Sequence, residues 1–168
     1  MTPHLVIVGA MGSGKTTLGR GLAEATGRGF FDSDEAINSR TGRTGREIAL
    51  ADGVEILHSL EKEVFFDAVA APQPSVVAAA ASVIDDAAVR RALRKTFCVW
   101  VTASEEILDE RLSSSSHRRR IHADELGRIA ERSRQFHASA DLVIDTGLAS
   151  EQDAVAQVIA ALEVEAPR

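Results

Sequence analysis

Short apolar runs alternate with amphipathic stretches along the whole chain. Glycine, proline or polar residues bound these runs, which is typical of buried strands. The runs lie at Leu5–Val8, at Gly29–Asp32, from Ser75 through Val76-Val77, at Thr96–Val101 and at Asp141–Asp145. Strands that alternate with helices favour a parallel sheet covered on both faces. We therefore predict a three-layer α/β fold with a five-stranded parallel sheet flanked by helices.

Capping residues and apolar spacing predict the helices between these strands. Thr44 and Glu47 have the spacing of a capping box, so a helix should begin near Gly45. A longer helix is predicted from about Val54 to Ala70 and should end before Pro72. Its predicted apolar stripe consists of Ile56, Leu60, Val64 and Phe65. Further helices are predicted after Thr16, after Asp85-Asp86, after Ser104, from about Asp124 to Phe136, and after Ser150.

The segment from Gly9 to Thr16 carries the most informative motif of the chain. It reads Gly-Ala-Met-Gly-Ser-Gly-Lys-Thr, a complete G-x-x-x-x-G-K-[ST] loop that follows a predicted strand and precedes a predicted helix. In that context, backbone N–H groups converge on phosphate oxygens and the helix N-terminus adds partial positive charge. The alternative is a chance glycine-rich turn. We predict a P-loop whose nucleotide-binding residues are Gly9, Met11, Gly12, Ser13, Gly14, Lys15, Thr16 and Thr17.

Two aspartates follow the second predicted strand directly, as Asp32-Ser33-Asp34. The carboxyl ends of the strands border the ligand crevice in a doubly wound sheet, so both carboxylates should lie beside the phosphates. We expect the Thr16 hydroxyl to bind the Mg²⁺ ion and Asp32 to hold one of the water molecules that coordinate it. Lys15 should neutralise phosphate charge and Asp34 should orient an acceptor hydroxyl or accept its proton. The alternative is a helix N-cap, a position that Asp and Ser both favour. The two readings are compatible, with Ser33 as the capping residue while the two carboxylates serve the site.

The composition narrows the class of protein. With 168 residues and 45% apolar residues, the chain can bury the core of one domain, residues 1–168, without disulfides or structural metals. A net charge of −6 argues against nucleic-acid binding. The chain shows neither a secretion signal nor an apolar stretch of about 18 residues. We expect a soluble cytoplasmic monomer with no membrane partner, and a structural role for the single cysteine, Cys98.

The motifs taken together resemble the shikimate kinase family. The resemblance rests on the P-loop, on Asp32-Ser33-Asp34 with Ile37, and on Thr41-Gly42-Arg43 with Glu47-Ile48. Asp52-Gly53, Leu60-Glu61, Leu108–Leu112 and Leu142–Thr146 also fit, so the similarity covers nearly the whole chain. It implies a nucleoside-monophosphate-kinase-like P-loop NTPase fold, with ATP as co-substrate, Mg²⁺ as cofactor, and transfer of the γ-phosphoryl group to a hydroxyl of shikimate.

The acceptor side departs from the family pattern. The family has Phe-Arg where this chain has Leu57-His58, and Gly-Gly-Gly where it has Ala79-Ala80-Ala81. A neutral imidazole cannot replace a bidentate guanidinium, and alanine resists a positive φ. The resemblance assigns substrate binding to Asp34, His58, Ala80 and Arg132. For His58, two readings stay open: a contact to an uncharged acceptor, or a half-buried helix residue without a binding role.

The resemblance also assigns two further arginine roles. The family's lid arginine corresponds to one of Arg118, Arg119 and Arg120, in a lid of about residues 113–123. The sequence does not choose among the three, and Arg119, the middle one, is the catalytic candidate. The alternative is a solvated basic turn. Arg111 matches the arginine that stacks on adenine, or is an ordinary exposed helix residue.

Three functions remain open at this point. The first is an ATP-dependent kinase that phosphorylates shikimate. The second is a kinase of another polyol, cyclitol or carbohydrate acid, which the altered acceptor motifs favour. The third is a nucleotide-binding protein without phosphotransfer, which the presence of Lys15 and Asp34 disfavours.

Overall fold

A computed structural model describes residues 3–114 and 123–165. Its five strands are β1 (Leu5–Val8), β2 (Gly29–Asp32), β3 (Ser75–Ala78), β4 (Phe97–Thr102) and β5 (Leu142–Asp145). Its helices are α1 (Lys15–Thr26), α2 (Ser33–Thr41), α3 (Gly45–Ala51), α4 (Val54–Ala70), α5 (Ala87–Leu93), α6 (Glu105–Ser114), α7 (Ala123–Ser139) and α8 (Glu151–Glu165). A 3-10 turn at Ala81–Asp85 follows β3.

The strands form one sheet in the order β2-β3-β1-β4-β5, and every neighbouring pair is parallel. Because β1 lies at the centre, its carboxyl end and the loop after it are flanked by the ends of β3 and β4. The predicted three-layer fold with a five-stranded parallel sheet is confirmed.

Two apolar layers hold the helices onto the sheet. On one face, α1 and α8 contribute Leu18, Leu22, Ala154 and Val158, all buried against Leu5 and Ile7. On the other face, α4, α5 and α7 contribute Phe65, Ala68, Val89, Leu93 and Phe136, which pack with Val6, Val8 and Val77. Complete burial of side chains of this size stabilises the fold by about 1.5–3 kcal/mol each. The carboxyl end of β1, which carries the P-loop, is therefore supported by packed helices on both faces of the sheet.

Most predicted boundaries agree with the structure, and the capping box is present. Thr44 Oγ1 accepts from the Glu47 backbone N–H, while a Glu47 carboxylate oxygen accepts from the Thr44 N–H at 2.7 Å. One part of the predicted stripe on α4 is wrong, because Ile56 is 49% exposed. Leu57, one residue later, packs inward instead, about 100° further round the helix.

Within residues 3–114 and 123–165, no helix combines the length and the apolar character needed to cross a bilayer. The lid segment of about residues 113–123 falls mostly outside the described residues, and Arg118, Arg119 and Arg120 all do. Their expected role at the phosphates stays a prediction.

Candidate active site

The loop between β1 and α1 bends back on itself at glycines. Gly12 has φ +80° and Gly14, which caps α1, has φ +99°; L side chains rarely adopt these values. Gly9 also allows close packing, because a Cβ there would lie 2.3 Å from the Val101 carbonyl oxygen. Ser13 lies buried within the loop, and its Oγ has no hydrogen-bond partner among the residues described. The loop thus has a fixed backbone shape in front of the N-terminus of α1.

The Lys15 ammonium lies in the wall of the cleft in front of this loop. Its Nζ donates to the carbonyl oxygens of Gly9 and Ala10, both at 2.9 Å. Burial lowers the pKa of Lys15 to about 8, against the opposing fields of Asp34 and Asp32. The ammonium therefore stays charged at neutral pH and loses its proton at a lower pH than an ordinary lysine.

Thr16 and Asp32 are joined by a hydrogen bond from Thr16 Oγ1 to Asp32 Oδ2 at 2.8 Å. The other carboxylate oxygen of Asp32 accepts from the backbone N–H groups of Asp34 and Glu35, at 2.9 and 3.4 Å. Asp32, not Ser33, is therefore the N-cap of α2, and the suggestion that Ser33 caps the helix is wrong. Ser33 lies inside the helix, and its buried Oγ lacks a hydrogen-bond partner among the described residues.

A cleft of about 530 Å³ connects the P-loop with the ends of β2 and β3. Asp34 lines it, and partial desolvation together with the field of Asp32 raises the pKa of Asp34, while Lys15 opposes this. A carboxylate with a raised pKa holds a proton more readily than an ordinary aspartate does. The cleft therefore contains a cation, a carboxylate of raised pKa and the amides of a glycine-rich loop.

Glu61 is a residue of this cleft that sequence reasoning did not assign to the site. It is 9% exposed and accepts a hydrogen bond from Ser82 Oγ. Burial raises the pKa of Glu61, and the neighbouring Asp34 adds to that rise. Glu61 lies four residues after Leu57 and four before Phe65, but this spacing points to the site only once the structure shows which face of α4 is buried.

The three alanines after β3 line the cleft without backbone strain. β3 ends at Ala78, and Ala80 has φ −61° and ψ 148°, an ordinary extended conformation. No residue other than glycine has a positive φ within the described ranges. Alanine thus fits this backbone, and Ala79, Ala80 and Ala81 add methyl groups to the cleft wall.

Arg111 connects α6 to the P-loop. Its Nη1 donates to the Gly12 carbonyl oxygen at 3.1 Å and to Thr146 Oγ1 at 3.0 Å, and its Nη2 donates to the Thr146 carbonyl oxygen at 3.1 Å. Thr146 Oγ1 in turn donates to the Ser13 carbonyl oxygen at 2.7 Å. Thr146, which sequence reasoning did not place in the site, therefore fixes the loop from the end of β5.

His58 and Arg132 belong to a second group of polar side chains, gathered around Asp85. His58 borders a second, shallow depression with Asp85 and Ser82. Partial burial and the nearby charge of Arg132 lower the pKa of His58, so its imidazole is neutral at pH 7. Arg132 forms a two-pronged ion pair with Asp85. Neither His58 nor Arg132 is among the residues that line the main cleft.

The structure thus brings most predicted site residues to one place. The main cleft is lined by Met11, Gly12, Gly14, Lys15, Thr16, Thr17, Asp32, Asp34, Ala80 and Arg111. Gly9, Ser13, His58 and Arg132 are not among the residues that line it.

Comparisons with known proteins agree with this arrangement. A family model described as shikimate kinase matches residues 11–163. The chain belongs to the shikimate kinase family. It is an ATP-dependent phosphotransferase with an alcohol group as acceptor.

Individual relatives of this kinase cover nearly its whole length. It is 39% identical over 168 residues to a shikimate kinase of Symbiobacterium thermophilum, covering 95% of this chain and 96% of that protein. It is 32% identical over 151 residues to a shikimate kinase of Mycobacterium avium, covering 87% and 85% of the two chains. A solved shikimate kinase from Acinetobacter baumannii, in complex with shikimate, matches with a TM-score of 0.88 and 25% identity, covering 100% of this kinase and 97% of that chain.

Proposed function

We propose that this kinase transfers the γ-phosphoryl group of ATP to a hydroxyl of shikimate. The observation that carries the proposal is that the P-loop, Lys15 and Asp34 line one cleft. The similarity to a shikimate kinase solved with shikimate, over the whole of this chain, supports the choice of acceptor.

In this proposal the triphosphate of ATP lies against the P-loop. The backbone N–H groups of Gly12, Gly14, Lys15 and Thr16 would donate to phosphate oxygens at the N-terminus of α1, whereas that of Ser13 donates to the Ala10 carbonyl oxygen. Lys15 exchanges its bonds to the loop carbonyls for bonds to the β- and γ-phosphates. Arg111 donates to the Gly12 carbonyl oxygen, and its proposed role is to stack on the adenine.

Mg²⁺ is the cofactor that the residues at this edge of the sheet fit. Magnesium prefers oxygen ligands, usually keeps several waters and binds through one or two carboxylates together with phosphates. Thr16 Oγ1 and Asp32 Oδ2 are such oxygens and already lie within 2.8 Å of each other. The described residues hold no cluster of three or more ligand side chains, which suits an ion held largely by phosphates and water. When bound, the ion neutralises developing phosphate charge.

Asp34 acts on the acceptor. It orients the attacking hydroxyl and takes its proton as the new P–O bond forms and the bond to the β-phosphate oxygen breaks. Lys15 stabilises the charge on the phosphates during transfer, and Arg119 of the lid is proposed to assist. Because phosphoryl transfer needs mainly positioning and charge stabilisation, these few groups suffice.

A second acceptor class is supported by one observation, namely that His58 stands where the family has an arginine. A polyol or cyclitol without a carboxylate would need no guanidinium at that position. We further propose that the kinase acts as a monomer of one domain in the cytoplasm, where ATP is plentiful.

The acceptor is tested by ADP release with Mg-ATP against shikimate, quinate, gluconate and neutral cyclitols. Turnover that is fastest with shikimate supports the proposal. Turnover confined to a neutral cyclitol supports the second class, and ATP binding without any acceptor-stimulated ADP release contradicts both.

A further inference from the structure

Arg132 on α7 and Asp85 at the end of the 3-10 turn form an ion pair with two-pronged geometry. Arg132 Nε lies 2.9 Å from Asp85 Oδ1, and Nη2 lies 2.6 Å from Oδ2. The Arg132 side chain is 23% exposed and that of Asp85 is 50% exposed. Paired, nearly parallel N–H···O bonds of this kind are how a guanidinium recognises a carboxylate.

Ser82 connects the pair to the main cleft, because its hydroxyl donates to Glu61 of the cleft and it borders the same depression as Asp85. The charge of Arg132 acts on Glu61, which lines the main cleft. Both Arg132 and Asp85 act on His58, and Asp85 borders the same depression as His58. Arg132 is thus a cation of α7 whose charge reaches Glu61, and the Asp85 carboxylate already occupies one edge of its guanidinium.

The carboxylate of Asp85 has no other task among the described residues. Its neighbour Asp86 is the N-cap of α5, accepting from the N–H groups of Ala88 and Val89 at 2.7 and 3.3 Å. Asp86 also pairs with Lys62. The side-chain hydrogen bonds of Asp85 come from Arg132 alone within residues 3–114 and 123–165. Removing the Asp85 charge therefore spares the cap of α5.

We propose that Asp85 is a specificity-determining residue that competes with the carboxylate of the acceptor for Arg132. The inference deepens the proposed function and rests on it. A carboxylate-bearing acceptor must displace Asp85 to reach the guanidinium, whereas an uncharged acceptor of the same shape need not. This kinase therefore discriminates only weakly in favour of a carboxylate.

The experiment compares Asp85→Asn with the wild type, using shikimate and its uncharged methyl ester. Asp85→Asn should lower KM for shikimate about fivefold, since a partly exposed ion pair is worth about 1 kcal/mol. KM for the methyl ester, KM for ATP and kcat should not change. Asp86→Asn is the matched control, because asparagine keeps the helix cap, and it should leave all four parameters unchanged. Asp85→Glu should keep the wild-type KM for shikimate.

An equal fall in KM for shikimate and its ester in Asp85→Asn, no change, or a rise in KM for shikimate would overturn the inference. Asp85→Ser is a second variant if the asparagine variant does not fold. Calorimetric binding of shikimate separates this inference from the proposed function. If no variant turns shikimate over but Asp85→Asn binds it about fivefold more tightly, the inference stands and the proposed function fails. If Asp85→Asn gains no affinity, the inference fails whether or not shikimate is a substrate.

Discussion

Thr16 Oγ1 donates a 2.8 Å hydrogen bond to Asp32 Oδ2, and this contact joins the start of α1 to the end of β2. Because Asp32 also caps α2 through its other oxygen, one carboxylate both orders the backbone ahead of Asp34 and faces the P-loop hydroxyl. Asp32 therefore uses one carboxylate oxygen to cap α2 and the other for its proposed role at the Mg²⁺ site.

The two roles of Asp32 are separable by substitution. Asp32→Asn keeps an oxygen for the cap, because asparagine caps helices about as well as aspartate, so the free energy of unfolding should change by less than about 0.5 kcal/mol. The loss of negative charge should raise the Mg²⁺ concentration needed for half-maximal turnover about 10- to 100-fold. Magnesium titration of turnover and denaturant unfolding measure the two effects.

Asp32→Ala is the matched control for this separation. It removes the cap as well and should cost about 1 kcal/mol of stability. An Asp32→Asn variant with full activity at low magnesium would remove Asp32 from the proposed metal site.

Asp34→Asn should lower kcat with shikimate about 10²- to 10⁴-fold, the range that a positioned base contributes. ATP affinity should change little, because the P-loop and Lys15 remain. Steady-state kinetics together with ATP calorimetry check this. The control is Glu35→Gln. The Glu35 carboxylate pairs with Arg20 on the exposed side of α2, so its loss should change neither kcat nor ATP affinity. Loss of ATP binding in Asp34→Asn would show that Asp34 belongs to the nucleotide site instead.

The P-loop and Asp32-Ser33-Asp34 were predictable because local sequence determines them. A glycine-rich loop between a strand and a helix has few possible shapes, and parallel strands end at the same edge of the sheet. Glu61 and the partnership of Arg132 with Asp85 were not predictable in the same way. They depend on how α4, α7 and the 3-10 turn meet in space, and each residue alone is an ordinary charge on a helix or turn.

Ile56 and the alanines after β3 are two further places where the sequence alone did not predict the local structure. Ile56 and Leu60 are four residues apart, yet the buried face of α4 is centred on Leu57, Glu61 and Val64, which spacing alone does not reveal. Likewise, the sequence could not show that β3 ends at Ala78 and that Ala80 is extended, with a negative φ, before the 3-10 turn.

Turnover should fall as the pH rises above about 8. Burial lowers the pKa of Lys15 to about 8, so the ammonium is mostly charged at neutral pH and loses its proton as the pH rises through about 8. Since kcat/KM reports on the free enzyme, kcat/KM for ATP should decline through pH 8. The arginine of Lys15→Arg stays charged at alkaline pH. The remaining activity of this variant should therefore show no decline through pH 8. A flat wild-type profile up to pH 10 would contradict the assignment.

His58→Arg should lower KM for shikimate about tenfold. A guanidinium is permanently charged and can bind a carboxylate with two bonds, whereas the neutral imidazole of His58 cannot. KM for methyl shikimate should not fall, and His58→Gln, which adds no charge, serves as the control. An unchanged KM for shikimate in a folded His58→Arg variant would show that the acceptor carboxylate lies elsewhere.

Phosphoryl transfer from ATP to shikimate is tested most directly by phosphorus NMR of a reaction that contains only the kinase, Mg-ATP and shikimate. We predict a new phosphate-monoester signal that grows in step with ADP and is absent without shikimate. Release of inorganic phosphate without a monoester, or no consumption of ATP at all, would contradict the claim that this cleft transfers a phosphoryl group to shikimate.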